Sequence, residues 1–303
     1  MNAACKSMLK QFAELESKNI KCLHDSPNSA VYEFDGKLIA KLSATDTARI
    51  NIDRFVKNDK ALKIIRQEVS FGVPVCDLIA YRNGTTLSVY KKIPGEPANL
   101  NQMSETQLKT FVKTLAEGLC EMHSIGLDKF KDCGLHHANQ KKNFQLDIKQ
   151  LRTRLKTIVK ENHLAAALNF LQKYAMTIDK TNPMAVSHCD LGHPNIIVDS
   201  KTKKLNGLID FDYMSVSEPC SDFSLLNMEL FRIAYKFYNN KYLLGKDEKD
   251  AVIRQQAYHV LKILLWLRDT SGPKKYRDTA IRDFSNALES ALNDLGLLKK
   301  KNK

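Results

Sequence analysis

Short apolar strands separated by polar turns dominate the first third of the chain. The turns Asp35-Gly36 and Asn83-Gly84 are typical of hairpins between neighbouring strands. Apolar residues recur at helical spacing in residues 3–18 and again from about Arg54 to Gln67. The pattern predicts a small antiparallel sheet with one helix docked on it. The predicted strands cover residues 20–23, 30–34, 37–42, 76–81 and 85–91.

The pattern changes at Ile93-Pro94-Gly95-Glu96-Pro97, where proline and glycine interrupt regular structure. The residues that follow are mostly helical, and the first helix begins with a capping box formed by Ser104 and Gln107. We therefore predict an α+β protein in which a β-rich N-terminal lobe, residues 1–93, is hinged to a helical C-terminal lobe, residues 94–303. The helical patterns cover residues 104–123, 144–175, 223–238, 249–268 and 276–295.

Composition narrows the class of protein. The chain has 303 residues, of which 43% are apolar and 27% are charged, as in ordinary globular proteins. The longest apolar run, Val260 to Leu267, contains Lys262 and is much shorter than the ~18 residues that a membrane span requires. The first residues lack the apolar core of a secretion signal, and the seven cysteines include no CxxC pair. We therefore predict a cytoplasmic protein without a membrane span.

The net charge of +13 raises the question of an anionic partner. Lys and Arg are scattered along the predicted helices, apart from one dense run at residues 299–303. No helix-turn-helix or RNA-binding pattern accompanies them, so we expect a solvated cationic surface and no nucleic acid partner. Part of the positive charge can serve to capture a nucleotide.

The most informative stretch runs from Ser187 to Val198 and is followed by Leu208-Ile209-Asp210-Phe211-Asp212. It places Asp190 and Asn195 on a tight loop that enters one short strand, and Asp210 and Asp212 at the end of the next. A base beside oxygen ligands for Mg²⁺ is what phosphoryl transfer from ATP requires. Taken alone, Asp190 would more often cap a turn, and the two later carboxylates would face water. Their occurrence together favours the catalytic interpretation.

Within this stretch, His188, Cys189 and His193 suggest a zinc site. Zinc normally requires three or four such ligands at closed spacing, and no second cluster supplies the others. We therefore expect His188 to brace the loop and Cys189 to be a small buried thiol.

Lys41 is the one charge in the apolar strand Leu38-Ile39-Ala40-Lys41-Leu42. Such a lysine often extends to water, but on this strand it can also hold the phosphates of ATP. Asp59 in the helix that follows is the candidate acid to align it, with Glu68 as the alternative. The loop residues Ser26, Asn28 and Ser29 are candidate phosphate donors, although that loop has no glycine.

Together these residues resemble the aminoglycoside phosphotransferase and choline kinase superfamily, which has the protein-kinase-like bilobal fold. Residues 188–197 are similar to its HGDLHPGNIL signature, residues 208–213 to its IDW/FE segment and residues 220–223 to its P-x-x-D-L stretch. The resemblance implies that Asp222 supports the catalytic loop. The other roles it implies are Asp190 as catalytic base, Asn195 and Asp210 as Mg²⁺ ligands, Lys41 as phosphate anchor, and Lys91 to Ile93 as the hinge that meets adenine. Asp212 stands where the family often has Glu.

The predicted function is therefore the transfer of the γ-phosphoryl group of ATP, with Mg²⁺, to a hydroxyl of a small molecule. A protein kinase would need a longer segment before Asp222, and the alternative from another class is a nucleotide-binding pseudokinase or a regulatory binding protein. The acceptor, the choice between ATP and GTP, and the oligomeric state stay open. Residues considered for an acceptor pocket are Glu218, Asp222, Glu229, Tyr213, Trp266 and Tyr235.

Overall fold

The computed structural model describes residues 19–25, 29–44, 48–82, 85–138, 140–178, 182–269 and 274–298. Three sequence-based predictions fall outside these residues: the helix over residues 3–18, the loop residues Ser26 and Asn28, and the turn Asn83-Gly84. None of the helices in the described part of the chain combines the length and the apolar character needed to cross a membrane.

The N-terminal part is a five-stranded antiparallel sheet in the order β1-β2-β3-β5-β4. Each predicted strand is present, with ends that differ by at most two residues from the prediction. One helix, α1, connects β3 to β4 and is longer than the sequence pattern suggests. The elements are β1 (Ile20–Asp25), β2 (Ser29–Phe34), β3 (Leu38–Ala44), α1 (Ala48–Glu68), β4 (Cys76–Arg82) and β5 (Thr85–Lys91).

The two faces of this sheet differ in chemistry because successive side chains of a strand point to opposite sides. One face forms a small apolar core that contains Phe34, Leu42 and Leu87. On β3, Lys41 alternates with the members of that core, so it lies on the opposite face. There it pairs across the sheet with Ser88 of β5. The sheet therefore presents a partly buried cation on the face opposite this core.

The segment after β5 is held against a second sheet. Two-residue strand β6 (Glu96–Pro97) pairs with β8 (Ile196–Val198), and β8 pairs with β9 (Leu205–Leu208). Gly95 has a φ of 119°, and a Cβ at this position would lie 2.3 Å from the carbonyl oxygen of Val198. Only glycine fits so close an approach, and this explains the glycine in the predicted hinge. Residues 95–97 thus rest directly on β8, the strand that follows the candidate catalytic loop.

The rest of the chain is mainly helical and contains the large apolar core. The capping box of Ser104 and Gln107 is present at the start of α2. The pattern predicted over residues 144–175 is two helices, because Leu155 and Val159 turn into the core between them. Strands β7 (Ala185–Ser187) and β10 (Ser215–Ser217) form an antiparallel pair. The helices are α2 (Glu105–His123), α3 (Gln140–Arg154), α4 (Glu161–Thr177), α5 (Met228–Phe237), α6 (Glu248–Asp269) and α7 (Lys274–Asp294).

Candidate active site

A buried carboxylate holds the loop that begins after β7. Asp222 accepts hydrogen bonds from the backbone N–H groups of His188 and Cys189, both at 2.8 Å, and from Nε2 of His123 at 2.9 Å. Burial acts to raise the pKa of Asp222, but the hydrogen bond and charge of His123 outweigh it and leave this pKa below its ordinary value. Asp222 is therefore a charged anchor directly below Asp190.

The same loop is tied to the end of β9. The imidazole of His188 donates from Nε2 to the carbonyl of Ile209 at 2.8 Å and accepts at Nδ1 from the backbone N–H of Asp190 at 3.3 Å. Asn195 donates from Nδ2 to the carbonyl of Asp190 at 2.9 Å, and its own carbonyl accepts from the N–H of Ile209 at 2.9 Å. Asp190, Asn195 and the residue before Asp210 therefore form one bonded unit.

Asp210 directs the chain away from β9 with an unusual backbone. Its φ of 65° and ψ of 56° are left-handed, a conformation that Asp tolerates better than most residues. The next residue, Phe211, is buried with its ring 4.4 Å from the ring of His188. Asn58 of α1 donates a buried hydrogen bond of 2.8 Å to the carbonyl of Phe211. Helix α1 thus helps to hold the turn that presents Asp210 and Asp212.

Lys41 joins the sheet to this turn. Its Nζ lies 2.6 Å from Oδ1 of Asp210 and 2.8 Å from Oδ2 of Asp212. Burial acts to lower the pKa of Lys41, but the carboxylates of Asp212 and Asp210 together raise it above its ordinary value. Asp210 and Asp212, which flank Phe211 in the sequence, therefore share a cation, and in this structure that cation is Lys41.

These donors also suit a magnesium ion. The carboxylates of Asp210 and Asp212 already accommodate one positive charge, and the amide of Asn195 is fixed through its nitrogen, which leaves its oxygen on the other side of the planar group. Carboxylate and amide oxygens are the ligands that Mg²⁺ prefers. Among the described residues, no group of three or more His, Cys, Asp or Glu side chains is arranged to hold a metal. A metal here would depend on two carboxylates, one amide, and oxygens of phosphate or water.

The predicted partner of Lys41 was wrong. Asp59 forms an ion pair of 2.7 Å with Lys63, one helical turn further along α1, and accepts from the backbone N–H of Cys76 at 2.8 Å. The alternative acid, Glu68, is paired with Lys129 at 2.5 Å. The start of β4 passes close to α1, and its backbone N–H at Cys76 bonds to Asp59. Lys41 needs no acid from the helix, because Asp210 and Asp212 balance its charge. Asp59 nevertheless lines the same cavity as Lys41.

On the other side of the loop, Asp190 contacts a residue that the sequence interpretation missed. Lys262 of α6 forms an ion pair with Oδ1 of Asp190. Both side chains are partly buried, and Lys262 also lies over the ring of Trp266, 5.6 Å from its centroid. The available signal was the single charge inside the apolar run from Val260 to Leu267, which the sequence interpretation used only to exclude a membrane span.

Comparison with known proteins now decides the family. The model of the phosphotransferase enzyme family, known as APH, matches residues 24–236. The chain belongs to the phosphotransferase enzyme family. The predicted family and class of enzyme are thereby confirmed.

Solved structures agree with the family in fold. The GDP complex of aminoglycoside 2'-phosphotransferase-IIIa superimposes with a TM-score of 0.77 at 16% identity and covers 97% of this chain and 99% of its own. The streptomycin–ATP complex of APH(2")-IIa has a TM-score of 0.67 at 19% identity, with coverages of 96% and 98%. Macrolide 2'-phosphotransferase type I has a TM-score of 0.68 at 16% identity, with coverages of 94% and 98%. These similarities confirm the predicted kinase-like α+β fold. A search of curated proteins finds no match.

Two of the three acids considered for an acceptor pocket in this phosphotransferase are already bonded inside the protein. Glu218 is 2% exposed and accepts from the hydroxyls of Tyr174 and Tyr258, both at 2.7 Å, and from Arg254 at 2.9 Å. Asp222 is likewise fully buried as the anchor of the loop. Neither carboxylate is free to meet a substrate, because each one balances buried donors.

The structure brings only some of the other residues predicted for the nucleotide site close to Lys41. Ser29 pairs with Ser43, two residues along β3 from Lys41, so Ser29 itself lies close to Lys41 in the sheet. Lys91 and Ile93 line a separate cavity of about 660 Å³, so their side chains do not join Lys41. The predicted adenine contact concerns their backbone and stays a prediction.

Proposed function

We propose that this phosphotransferase moves the γ-phosphoryl group of ATP to a hydroxyl group of a small molecule. In this proposal Asp190 accepts the proton of the acceptor hydroxyl as its oxygen attacks phosphorus. The main support is the arrangement around the loop: Lys41 from the sheet contacts Asp210 and Asp212, while hydrogen bonds through His188 and Asn195 tie Asp190 to the same strand end.

Lys41 is proposed to hold the phosphates of the nucleotide as a point charge, and Asn195, Asp210 and Asp212 to hold Mg²⁺. A magnesium ion at this place neutralises charge on the phosphate oxygens. The chain supplies orientation by other means: Asp222 and His188 together bind the backbone N–H groups of residues 188–190. Rigid positioning is a main component of catalysis of phosphoryl transfer, because little covalent chemistry falls to the protein.

Ligands of similar proteins support the proposal. Similar structures contain GDP, ATP or ADP, and some contain streptomycin, kanamycin or gentamicin. A nucleotide donor and a small hydroxylated acceptor are therefore our proposal for this chain. The division into a nucleotide-binding lobe, residues 1–93, and an acceptor lobe, residues 94–303, is part of it. A cytoplasmic location also stays a proposal.

Replacement of Asp190 tests the proposal. Asp190→Asn keeps the shape of the side chain but removes the base, so we expect turnover to fall by about two orders of magnitude or more, the usual scale of acid–base effects. ADP formation with Mg²⁺ and ATP, or GTP in parallel, is measured over a pool of hydroxylated metabolites. Nucleotide binding, measured by calorimetry, should change little.

Asp132→Asn, a change at an exposed carboxylate outside the site, is the matched control and should leave turnover unaltered. A variant at Asp190 that retains the full rate would refute the role of this residue. If wild-type protein binds nucleotide but transfers phosphate to no acceptor in the pool, the result favours the pseudokinase alternative.

A further inference from the structure

The contact between Lys262 and Asp190 leaves both groups with unused bonding capacity. Lys262 occupies Oδ1 of the carboxylate, so Oδ2 can still accept from the hydroxyl of a substrate. An ammonium group has three N–H donors, and the bond to Asp190 uses one of them. The side chain is held on its other side by the ring of Trp266. Lys262 is thus a fixed cation beside the oxygen that would meet the acceptor.

Lys262 lines the acceptor side of the loop and not the nucleotide side. It borders a cavity of about 220 Å³, together with Cys189 and four serines, whereas the cavity around Lys41 is bordered by residues of the sheet, α1 and the Asp210 turn. The serines are Ser215, Ser217, Ser221 and Ser224. The ammonium of Lys262 and the serine hydroxyls can donate to anionic oxygens, within a lining that is otherwise largely apolar and includes Phe144 and Leu261.

The acid that borders the same cavity does not cancel this cation. Asp147 is half-buried, and burial raises its pKa while the charge of Arg268 opposes the shift. The charge of Asp147 is thus partly opposed by that of Arg268. Glu218, beneath the cavity, is neutralised by Arg254. Asp190 is thus the carboxylate that pairs with Lys262, and the ammonium has two further N–H donors for a substrate.

An adjoining cavity extends the positive lining. It has a volume of about 490 Å³ and shares Ala138 and Ser215 with the first. Arg54 and Lys57 of α1 line it, with Asp53 as the one acid among the lining residues. A polycationic acceptor that entered through this space would meet like charges at both ends, which is unfavourable.

We propose that Lys262 determines specificity by selecting an acceptor that has a carboxylate or phosphate group next to the hydroxyl that reacts. The inference rests on the proposed function and adds the chemical class of the acceptor. The anionic group bonds to the free donors of Lys262, and the neighbouring hydroxyl reaches Oδ2 of Asp190. Polycationic aminoglycosides, which similar proteins bind, are disfavoured by the same residue.

Four sugar derivatives that differ mainly in charge test this proposal. Gluconate has a carboxylate, glucose 6-phosphate a phosphate, glucose no charge and glucosamine a positive charge. Affinity for each is measured by calorimetry with a non-hydrolysable ATP analogue and Mg²⁺ present, and ADP release with ATP gives kcat/KM separately. The variants are Lys262→Met and Lys262→Arg, and Lys249→Met, an exposed position near the start of the same helix, is the matched control.

We expect the wild type to bind gluconate or glucose 6-phosphate at least about tenfold more tightly than glucose, with glucosamine the weakest. The comparison of the two anionic probes shows which group is preferred. Lys262→Met should remove this preference, lowering affinity for the anionic probe about tenfold to a hundredfold while glucose binding stays nearly constant. Lys262→Arg should restore part of it, and Lys249→Met should match the wild type.

Two results would overturn the inference. One is wild-type binding that shows no preference for either anionic probe over glucosamine. The other is a Lys262→Met variant in which KM for ATP rises while the order of acceptors is unchanged, since this would place Lys262 on the transferred phosphoryl group. Absence of ADP release with all four probes, alongside the expected order of affinities, would count against the proposed function and leave the inference supported.

Discussion

Two lysine–aspartate contacts lie on opposite sides of the candidate catalytic loop, and they differ in what they connect. Lys41 reaches from the N-terminal sheet to Asp210 and Asp212 at the end of β9, so its contact joins two separate parts of the chain. Lys262 and Asp190 both belong to the helical part. The first contact depends on how the sheet is placed over the helical part, whereas the second is internal to one core.

The comparison suggests different fates for the two contacts during turnover. Lys41 divides its charge between two partly exposed carboxylates, which are themselves the proposed magnesium ligands, so phosphate binding must compete with this contact. Lys262 bonds one oxygen of Asp190 and leaves the other accessible. We therefore expect Lys41 to exchange partners when nucleotide binds, and Lys262 to keep Asp190 while it gains a second partner.

The largest effect expected from the sheet side follows Lys41→Met. Loss of the ammonium removes the proposed phosphate anchor and leaves Asp210 and Asp212 without their cation. We expect kcat/KM for ATP to fall by about two to three orders of magnitude, the scale for loss of a positioned electrostatic group. Without nucleotide, MgCl₂ should raise the melting temperature of the variant more than that of the wild type, because the carboxylate pair then lacks a counter-charge.

Lys37→Met, in the exposed turn before β3, is the matched control and should leave both measurements unchanged. Equal responses of the Lys41 variant and the wild type to MgCl₂ would mean that Asp210 and Asp212 do not act as a cation site. A kcat/KM within about threefold of the wild type would remove Lys41 from the proposed nucleotide site, since a charged phosphate contact is worth more than this.

An intermediate effect, on stability and not on rate, is expected at Asp59. Asp59→Ala leaves the backbone N–H of Cys76 without its acceptor, so the free energy of unfolding should drop by about 2 kcal/mol. Because Asp59 pairs with Lys63 and not with Lys41, kcat/KM should stay within about threefold of the wild type, well below the effect of an electrostatic group in the site. Urea unfolding and steady-state kinetics measure the two quantities.

Lys63→Met serves as the comparison, since it removes the exposed partner of Asp59 and should cost less than about 1 kcal/mol. A rate loss for Asp59→Ala as large as that for Lys41→Met would reinstate the ion pair that the sequence predicted.

The two sides also differ in how much of them the sequence could predict. Lys41 stands out because one charge in an apolar strand breaks the alternation, and Asp190, Asn195 and Asp210 belong to a specific motif. Lys262 lies in a helix, where an occasional lysine is ordinary, and only the packing of α6 against the loop reveals its contact. The roles proposed for Asp190, Asn195, Asp210 and Lys41 stay predictions until they are tested.

The acids of the acceptor side show the limit of sequence reasoning more clearly. Glu218 was considered for an acceptor pocket, yet it is bonded to donors from α4 and α6. Tyr174, Arg254 and Tyr258 are far from it in sequence, and no periodic pattern indicates that they converge. Strands β6 and β10 were missed for a related reason, because two or three residues are too few to show alternation.

The smallest effect concerns the thiol of Cys189, which is bonded to Ser215 and Ser217. Burial, together with the charge of Asp222, raises the pKa of the Cys189 thiol from 9.0 to about 11, although bonds from Ser215 and Ser217 oppose the shift. Because this pKa is higher in the folded state, the stabilisation is fully present below about pH 9 and is lost as pH rises towards 11. The wild type should therefore lose about 1 kcal/mol more stability than Cys189→Ser between pH 8 and 10.

Urea unfolding at three pH values in this interval measures the difference, and Cys22→Ser, at an exposed thiol, is the matched control. Parallel pH profiles for the wild type and Cys189→Ser would mean that water reaches the thiol. The thiol would then be as accessible to water as the carboxylates of Asp210 and Asp212. A steeper wild-type profile would instead indicate that water is excluded from the thiol next to Asp190. Its contact with Lys262 would then be shielded on that side, in contrast to the solvent-accessible carboxylates that Lys41 binds.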